Sequence, residues 1–402
     1  MSSEVKGQII FQSNGTFKAD SLKPWHIAAT AFGVLFIRTF NSIEKFPADP
    51  GYDYLLLAEF NGASSWFELD PYLHFVAHVL SWLASFAPLD DQAIALSLFV
   101  NAVWSIITAG IFLILRNDRF SPIVAMLSAL TLPFCPAAAE SSLANVGNLK
   151  WPMLILALVA ASGNQISRSP ILFSSYFLVT GLTNPLTSIV FLPLLINRYQ
   201  CNADKRKKFL MPIAGLTASF LIQATIVGRS GLTSGSNIDK TYGPWTGMGV
   251  FWWAGLIGPS VVNLGVLLIC TRFRSNLTAP LLVRLTSAAL VLSLVSYFYG
   301  GIADRYFVAP MVLSWMSVIC LISIILQNKA RQIKTLTISI AAILFAIPTV
   351  YWFDAMWFLT AGPKWSEQVS KARSTCNEKV NSATLSIGDG SIELPCSYIL
   401  DK

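Results

Sequence analysis

Residues 92–115 read QAIALSLFVNAVWSIITAGIFLIL, with no charged side chain anywhere in the stretch. A helix crosses the hydrocarbon core of a bilayer with about 20 mostly apolar residues. The stretch therefore reads as a membrane span. Comparable runs at 24–41, 120–139, 143–162, 170–182, 184–197, 209–227, 247–270, 279–298, 306–326 and 335–353 bring the expected number of spans to about eleven. The runs at 170–182 and 184–197 are short. They meet at Gly181-Leu182-Thr183-Asn184-Pro185, which reads either as a tight outer turn or as the break of a re-entrant pair.

Composition agrees with that class. Of 402 residues 54% are hydrophobic and 12% charged, and the mean hydropathy is +0.58, whereas about a quarter of an ordinary globular domain is charged. Lys6, Lys18, Lys23, Arg116, Arg119, Arg168, Arg198, the run Lys205-Arg206-Lys207-Lys208, Arg272, Arg274, Arg284, Lys329, Arg331 and Lys334 fall in alternate connections. The positive-inside rule then sets the N-terminus in the cytoplasm and, with an odd number of spans, the C-terminal tail outside. The net charge of +7 reads as topology, not as nucleic-acid binding. The polar start Met1 to Ser21 lacks the pattern of a cleavable signal, so the first span reads as a retained anchor.

The chain divides into a transmembrane domain, 1–353, and a small tail, 354–402. Lys364 to Asn377 is expected to form a short amphipathic helix with Trp365, Val369 and Ala372 on one side. Ala383–Ile387 and Ser391–Leu394 alternate like the strands of a hairpin around Gly388-Asp389-Gly390. Cys376 and Cys396 both lie in this tail and are expected to pair in an oxidising compartment. No Cys/His spacing suggests a metal site.

The first outer loop, 42–91, is the densest polar segment on the outer side. Between residues 44 and 70 it carries Glu44, Asp49, Asp53, Glu59, Glu68 and Asp70. Pro47-Ala48-Asp49-Pro50-Gly51 is a turn, Asp53 to Phe60 reads as a helix lying along the interface, and Pro71 to Phe86 reads as a second amphipathic helix. His74 and His78 share one face of the latter. Any one of these acids by itself reads most simply as loop solvation; the cluster points to function.

One cytoplasmic N-terminus, one span, an acidic outer loop of interfacial helices, many further spans and a small outer tail resemble the GT-C superfamily of integral membrane glycosyltransferases. Gly147-Asn148-Leu149-Lys150-Trp151, Leu182-Thr183-Asn184-Pro185-Leu186-Thr187 and Asp304-Arg305-Tyr306-Phe307 also look like a group of uncharacterised bacterial multispanning proteins. The resemblance implies a polytopic all-α fold in a bacterial inner membrane. It implies transfer of a sugar from a polyprenyl-phosphate donor to a cell-envelope glycan or lipid acceptor, with an acid of the first outer loop as base. The adjacent Asp-Glu pair of several GT-C families is missing here, and the base stays open between Asp49 and Asp53.

The chemistry asks for a carboxylate to take the acceptor's proton and cations to hold the departing phosphate. Lys150 and Arg305 are the candidate cations, and His74, Glu59, Arg229 and Trp245 the further substrate-binding candidates. Plainer readings exist for each: Lys150 snorkelling to the interface, Arg305 pairing with Asp304, Arg229 and Lys240 solvated in an outer loop, and Trp245 as an interfacial anchor. No cofactor is required; the clustered acids could bind a divalent metal, but a lipid-monophosphate donor does not imply one. A transporter or flippase is the competing reading, because broken spans also build midplane sites. A non-enzymatic scaffold is a third.

Overall fold

The computed structural model describes residues 22–46, 55, 73–135, 143, 145–230, 261, 263–269, 279–299, 308–328, 362–378, 380–387 and 390–402. The first helix, α1 (Pro24–Thr39), starts at a proline whose missing N–H costs nothing in the first turn. It is followed by α2 (Phe75–Ala84), α3 (Gln92–Asn117), α4 (Pro122–Leu130), α5 (Lys150–Ser162), α6 (Pro170–Thr183), α7 (Phe191–Gln200), α8 (Ala203–Arg206), α9 (Leu210–Ser230), α10 (Ala279–Tyr299) and α11 (Val308–Asn328). The tail adds α12 (Trp365–Cys376), β1 (Ser382–Ile387), β2 (Gly390–Pro395) and α13 (Cys396–Asp401).

Three described stretches are long and apolar enough to cross a membrane: Leu89–Asn117, Ala203–Gly228 and Val308–Ile325. They fall on three of the expected spans. The runs at 170–182 and 279–298 are helical as Pro170–Thr183 and Ala279–Tyr299, and other helices are shorter than expected. The run 120–139 is helical only as Pro122–Leu130, and a turn precedes Pro133. The runs at 143–162 and 184–197 each begin with a 3-10 turn, Val146–Leu149 and Pro185–Val190, before the α-helix takes over. At the rises of the two helix types, 146–162 and 185–200 each extend about 27 Å, close to a hydrocarbon core of about 30 Å. The span expected at 335–353, and 247–270 apart from 261 and 263–269, lie outside the described residues.

Each 3-10 turn is started by an asparagine. Asn145 Oδ1 accepts from Gly147 N at 2.9 Å and Asn184 Oδ1 accepts from Leu186 N at 3.0 Å. The side chain thus supplies the acceptor that the first turn lacks. Pro185 stops α6, because it has no N–H to give to the carbonyl four residues back. The expected break at Asn184-Pro185 is therefore a helix end directly followed by a 3-10 start.

α3 is central: it packs against α1, α2, α4 and α5, with Val100, Trp104, Ile111 and Leu115 fully buried. α9 is peripheral. Only 28% of its most apolar window is buried, and its contact is chiefly with α6. A Cβ on Gly181 would strike Ser219, and one on Gly215 would strike Ser174, so small residues let these two helices approach closely.

At one end of the bundle, helix ends are tied by polar side chains. Asp118 accepts from the Asn164 backbone N–H at 3.0 Å and from its Nδ2 at 2.9 Å. Asn197 donates to the carbonyls of Ala161 and Gly163, and Arg284 donates to Ser162 O at 2.8 Å and Gln200 Oε1 at 2.6 Å. Gly163 has no Cβ because one would collide with the Asp118 carboxylate. Arg119 takes the left-handed conformation, φ 73°, at the end of α3, and Phe120 N closes onto Leu115 O. Arg116, Arg168, Arg198 and Lys205–Lys208 belong to these same connections.

Burial raises the Asp118 pKa above the usual 3.8, against the two hydrogen bonds from Asn164 that lower it. A raised folded-state value means that the protonated carboxyl favours the fold; the contribution is full below the unfolded pKa and is lost as pH rises through the folded one. Asp118→Asn is expected to remove this pH dependence. Asp118→Leu leaves the Asn164 donors without their acceptor and is expected to cost about 1–3 kcal/mol. Unfolding midpoints measured from pH 3.5 upward in detergent check both; identical profiles for wild type and Asp118→Asn would refute the assignment.

In the tail, Trp365, Val369, Ala372 and Cys376 form the buried side of α12, facing Ala383, Leu385, Leu394, Cys396 and Ile399. β1 and β2 pair antiparallel, from Ser382 opposite Pro395 to Ile387 opposite Gly390. Cys376 and Cys396 are joined by a disulfide. The expected helix, strands and pairing agree with these elements to within one or two residues.

Candidate functional site

The end of the bundle opposite the Asp118 network gathers the described outer candidates. α1 finishes there with Arg38, whose side chain is 2% exposed. Its Nη1 donates to Pro133 O at 2.6 Å and its Nη2 to Cys135 O at 3.1 Å, which satisfies carbonyls freed where α4 unwinds. Sequence reasoning passed over Arg38, although a lone charge inside an apolar run is a signal of its own.

His74 is the N-cap residue of α2 and His78 lies one turn further, and both are buried. The expected helix from Pro71 is thus seen from Phe75. α2 buries Ala77, His78, Ser81 and Ala84 and exposes Trp82 and Leu83, with Trp82 and Phe86 in edge contact at 5.0 Å. That amphipathic split suits a helix lying at an interface. α2 rests on the 3-10 turn Val146–Leu149, on α3 and on α6.

Two side chains fix its start. Gln223 of α9 accepts from Leu73 N at 3.0 Å and donates to Leu73 O at 3.0 Å, to Gly181 O at 3.1 Å and to Leu182 O at 2.8 Å. Thr183 Oγ1 accepts from Val76 N at 3.4 Å. The broken end of α6 and the start of α2 therefore share one buried glutamine. Sequence reasoning missed Gln223; the available signal is a polar side chain in an apolar run.

Lys150 is the first residue of α5, directly after the turn on which α2 rests. Its ammonium lies 5.8 Å from the Trp151 ring centroid, and Asn184 Nδ2 donates to its carbonyl at 3.4 Å. His74, Thr183, Asn184 and Lys150 are thus brought to one end by α2, α5 and α6. Arg229 lies near the end of α9 beyond Gln223, with only its backbone described. Asp49, Asp53, Glu59, Trp245 and Arg305 lie outside the described residues, as does the helix expected at 53–60 apart from Leu55. Among the described residues no group of three or more His, Cys, Asp or Glu could hold a metal ion.

Beside this polar end an apolar groove of about 370 Å³ runs between α3 and α6. Val76 closes its top, Met153 lies one turn past Lys150, and Val103, Ile107 and Val179 line it. Ile106 and Leu172 at its rim are 68% and 65% exposed. The Tyr176 hydroxyl in the wall donates to Met153 O at 2.8 Å, so the surface offered is hydrocarbon. No family model, no curated protein and no solved structure matches this chain.

The start and end of the segment 42–91, the expected first outer loop, meet the tail at this same end. Trp365 N donates to Glu44 O at 2.8 Å and Trp365 Nε1 to Leu89 O at 2.6 Å, while its ring meets Phe46 edge-on at 4.9 Å. Lys364 pairs with Glu44 and Arg373 with Asp90, each at 2.7 Å, and Lys402 Nζ donates to Ser85 O at 2.7 Å. The first loop and the tail thus share one face, whatever the direction of the chain through the membrane.

Proposed function

We propose that the chain is a polytopic membrane glycosyltransferase of GT-C type with about eleven spans. It moves a sugar from a polyprenyl-phosphate donor to a cell-envelope glycan or lipid acceptor at the outer face of a bacterial inner membrane. The observation that carries the reading is the apolar groove lined by Met153, one helical turn past Lys150, near the end where the acidic loop begins and ends. A lipid-linked donor needs that combination: hydrocarbon surface for the chain and a cation where the chain meets its phosphate. The basic connections tied together at the opposite end support a cytoplasmic assignment for that end.

In this reading Asp49 or Asp53 removes the proton of the acceptor hydroxyl, whose oxygen attacks the anomeric carbon. The bond from that carbon to the phosphate oxygen breaks, and polyprenyl phosphate leaves with the electron pair. Lys150 and Arg305 stabilise the charge growing on the phosphate; His74, Glu59, Arg229 and Trp245 hold sugar or acceptor. The proton passes from the carboxyl to water, and no cofactor enters the balance.

Purified protein in liposomes carrying a radiolabelled polyprenyl-phosphate sugar is expected to move label to an added glycan or lipid acceptor. Label crossing the bilayer on its intact lipid, with no transfer, would overturn the enzyme in favour of a flippase.

A further inference from the structure

One tryptophan bonds to both ends of the first outer loop. Trp365 is 1% exposed, and it holds Glu44 through its backbone N–H and Leu89 through its indole N–H. These two residues lie far apart in sequence. Phe46 and Leu89, 2% and 0% exposed, complete the apolar contact. The charged pairs around it matter less, since the side chains of Lys364, Glu44, Arg373 and Asp90 are all a third to a half exposed and solvent screens them. The grip therefore rests on Trp365, whose backbone N–H holds Glu44 while its buried ring packs on Phe46 and bonds Leu89.

The tail is built to present that residue. α12 alone is too short to be stable in water. The β1–β2 hairpin covers its buried side, and the disulfide joins the last residue of α12 to the first of α13 across a sequence separation of 20. Constraining a loop of that size stabilises the folded form by restricting the unfolded chain. α13 then returns Lys402 to Ser85 O, just after α2, and Arg373 Nε to Ile399 O. The tail thus touches the loop at Glu44 to Phe46, at Ser85 and at Leu89 to Asp90.

We infer that residues 364–402 are an intramolecular clasp that fixes the spacing between the start and the end of the first outer loop, with Trp365 as its positioning residue. The inference does not rest on the glycosyltransferase reading. Its physical content is entropic: joining the ends of a long loop costs conformational freedom, and the clasp adds contacts at Glu44, Phe46 and Leu89 to the packing of α1 on α3 and the Asn101–Thr39 bond between them. A tail serving only as a solvent cover would not need to bond both ends through one residue.

The test uses full-length protein with Cys135, Cys201, Cys270 and Cys320 replaced by Ser and the Cys376–Cys396 disulfide kept. Spin labels go on Lys45→Cys and Asp91→Cys, with a control pair at the opposite end, Arg119→Cys and Arg206→Cys. A single narrow distance is expected for the loop pair. Trp365→Ala, and separately Cys376→Ser with Cys396→Ser, are expected to widen that distribution at least about twofold and leave the control pair unchanged. Trp365→Phe keeps the ring but loses the bond to Leu89 O, and an intermediate width is expected. An unchanged loop pair in Trp365→Ala overturns the clasp. So does widening of both pairs, which would make the tail part of the bundle's core.

Discussion

Replacing Asp49 and Asp53 together with Asn is expected to lower sugar transfer by about a hundredfold to ten-thousandfold, the usual contribution of a positioned base. Asn keeps the size and hydrogen bonding of the side chain but cannot take the acceptor's proton. Donor binding, which the proposal gives to Lys150, Arg305 and the apolar groove, is expected to change little, so the loss falls on kcat and not on KM. Of the two single variants, one is expected to match the double and the other to stay near wild type. Membrane insertion and elution as a single species are expected to be unaffected, since neither acid falls within an expected span. Full transfer by the double variant would remove the base from this loop.

Gln223→Leu is expected to be the most damaging single change to the described bundle. The side chain is 2% exposed, and leucine nearly fills its volume, so the loss is one of hydrogen bonds and not of packing. Gly181 O would ordinarily receive the N–H of residue 185, but that residue is proline. Leu182 O would receive the N–H of Leu186, which Asn184 Oδ1 has taken. Gln223 supplies both carbonyls from another helix and closes on Leu73 as well. Its two amide protons serve three carbonyls. Without it, buried backbone groups at the end of α6 and the start of α2 lose partners at about 1–3 kcal/mol each. The checks are the unfolding midpoint in detergent and hydrogen exchange, which is expected to speed up at Leu73 to Val76. An unchanged midpoint would mean that water satisfies these groups and that this end of the bundle is wet.

Both predictions concern polar groups in apolar surroundings, and they differ in how far they can be read from the chain itself. The acids stand in a row after the first span, and their number in a membrane chain is visible at once. Gln223 is one amide in a run of apolar residues, and its partners lie 41 to 150 positions away. Nothing local announces them. Lys150 and His74 were singled out from their positions, whereas their shared end depends on α2 folding back over the turn at Val146–Leu149. Arg38 shows the converse: its charge was legible and its task was not, because the carbonyls of Pro133 and Cys135 are free only once α4 stops at Leu130.

The sequence by itself determined what depends on neighbours along the chain. Apolar runs placed the helices, Asn184-Pro185 placed a break, and alternation placed the tail hairpin, because helix and strand periods are local properties of side-chain order. Tertiary structure decided how long those helices are, where 3-10 turns complete them, which polar side chains close their ends, and that the tail grips both ends of the first loop through Trp365. These depend on backbone groups left without partners by local structure, and such groups are satisfied by whichever side chain the packing brings within about 3 Å.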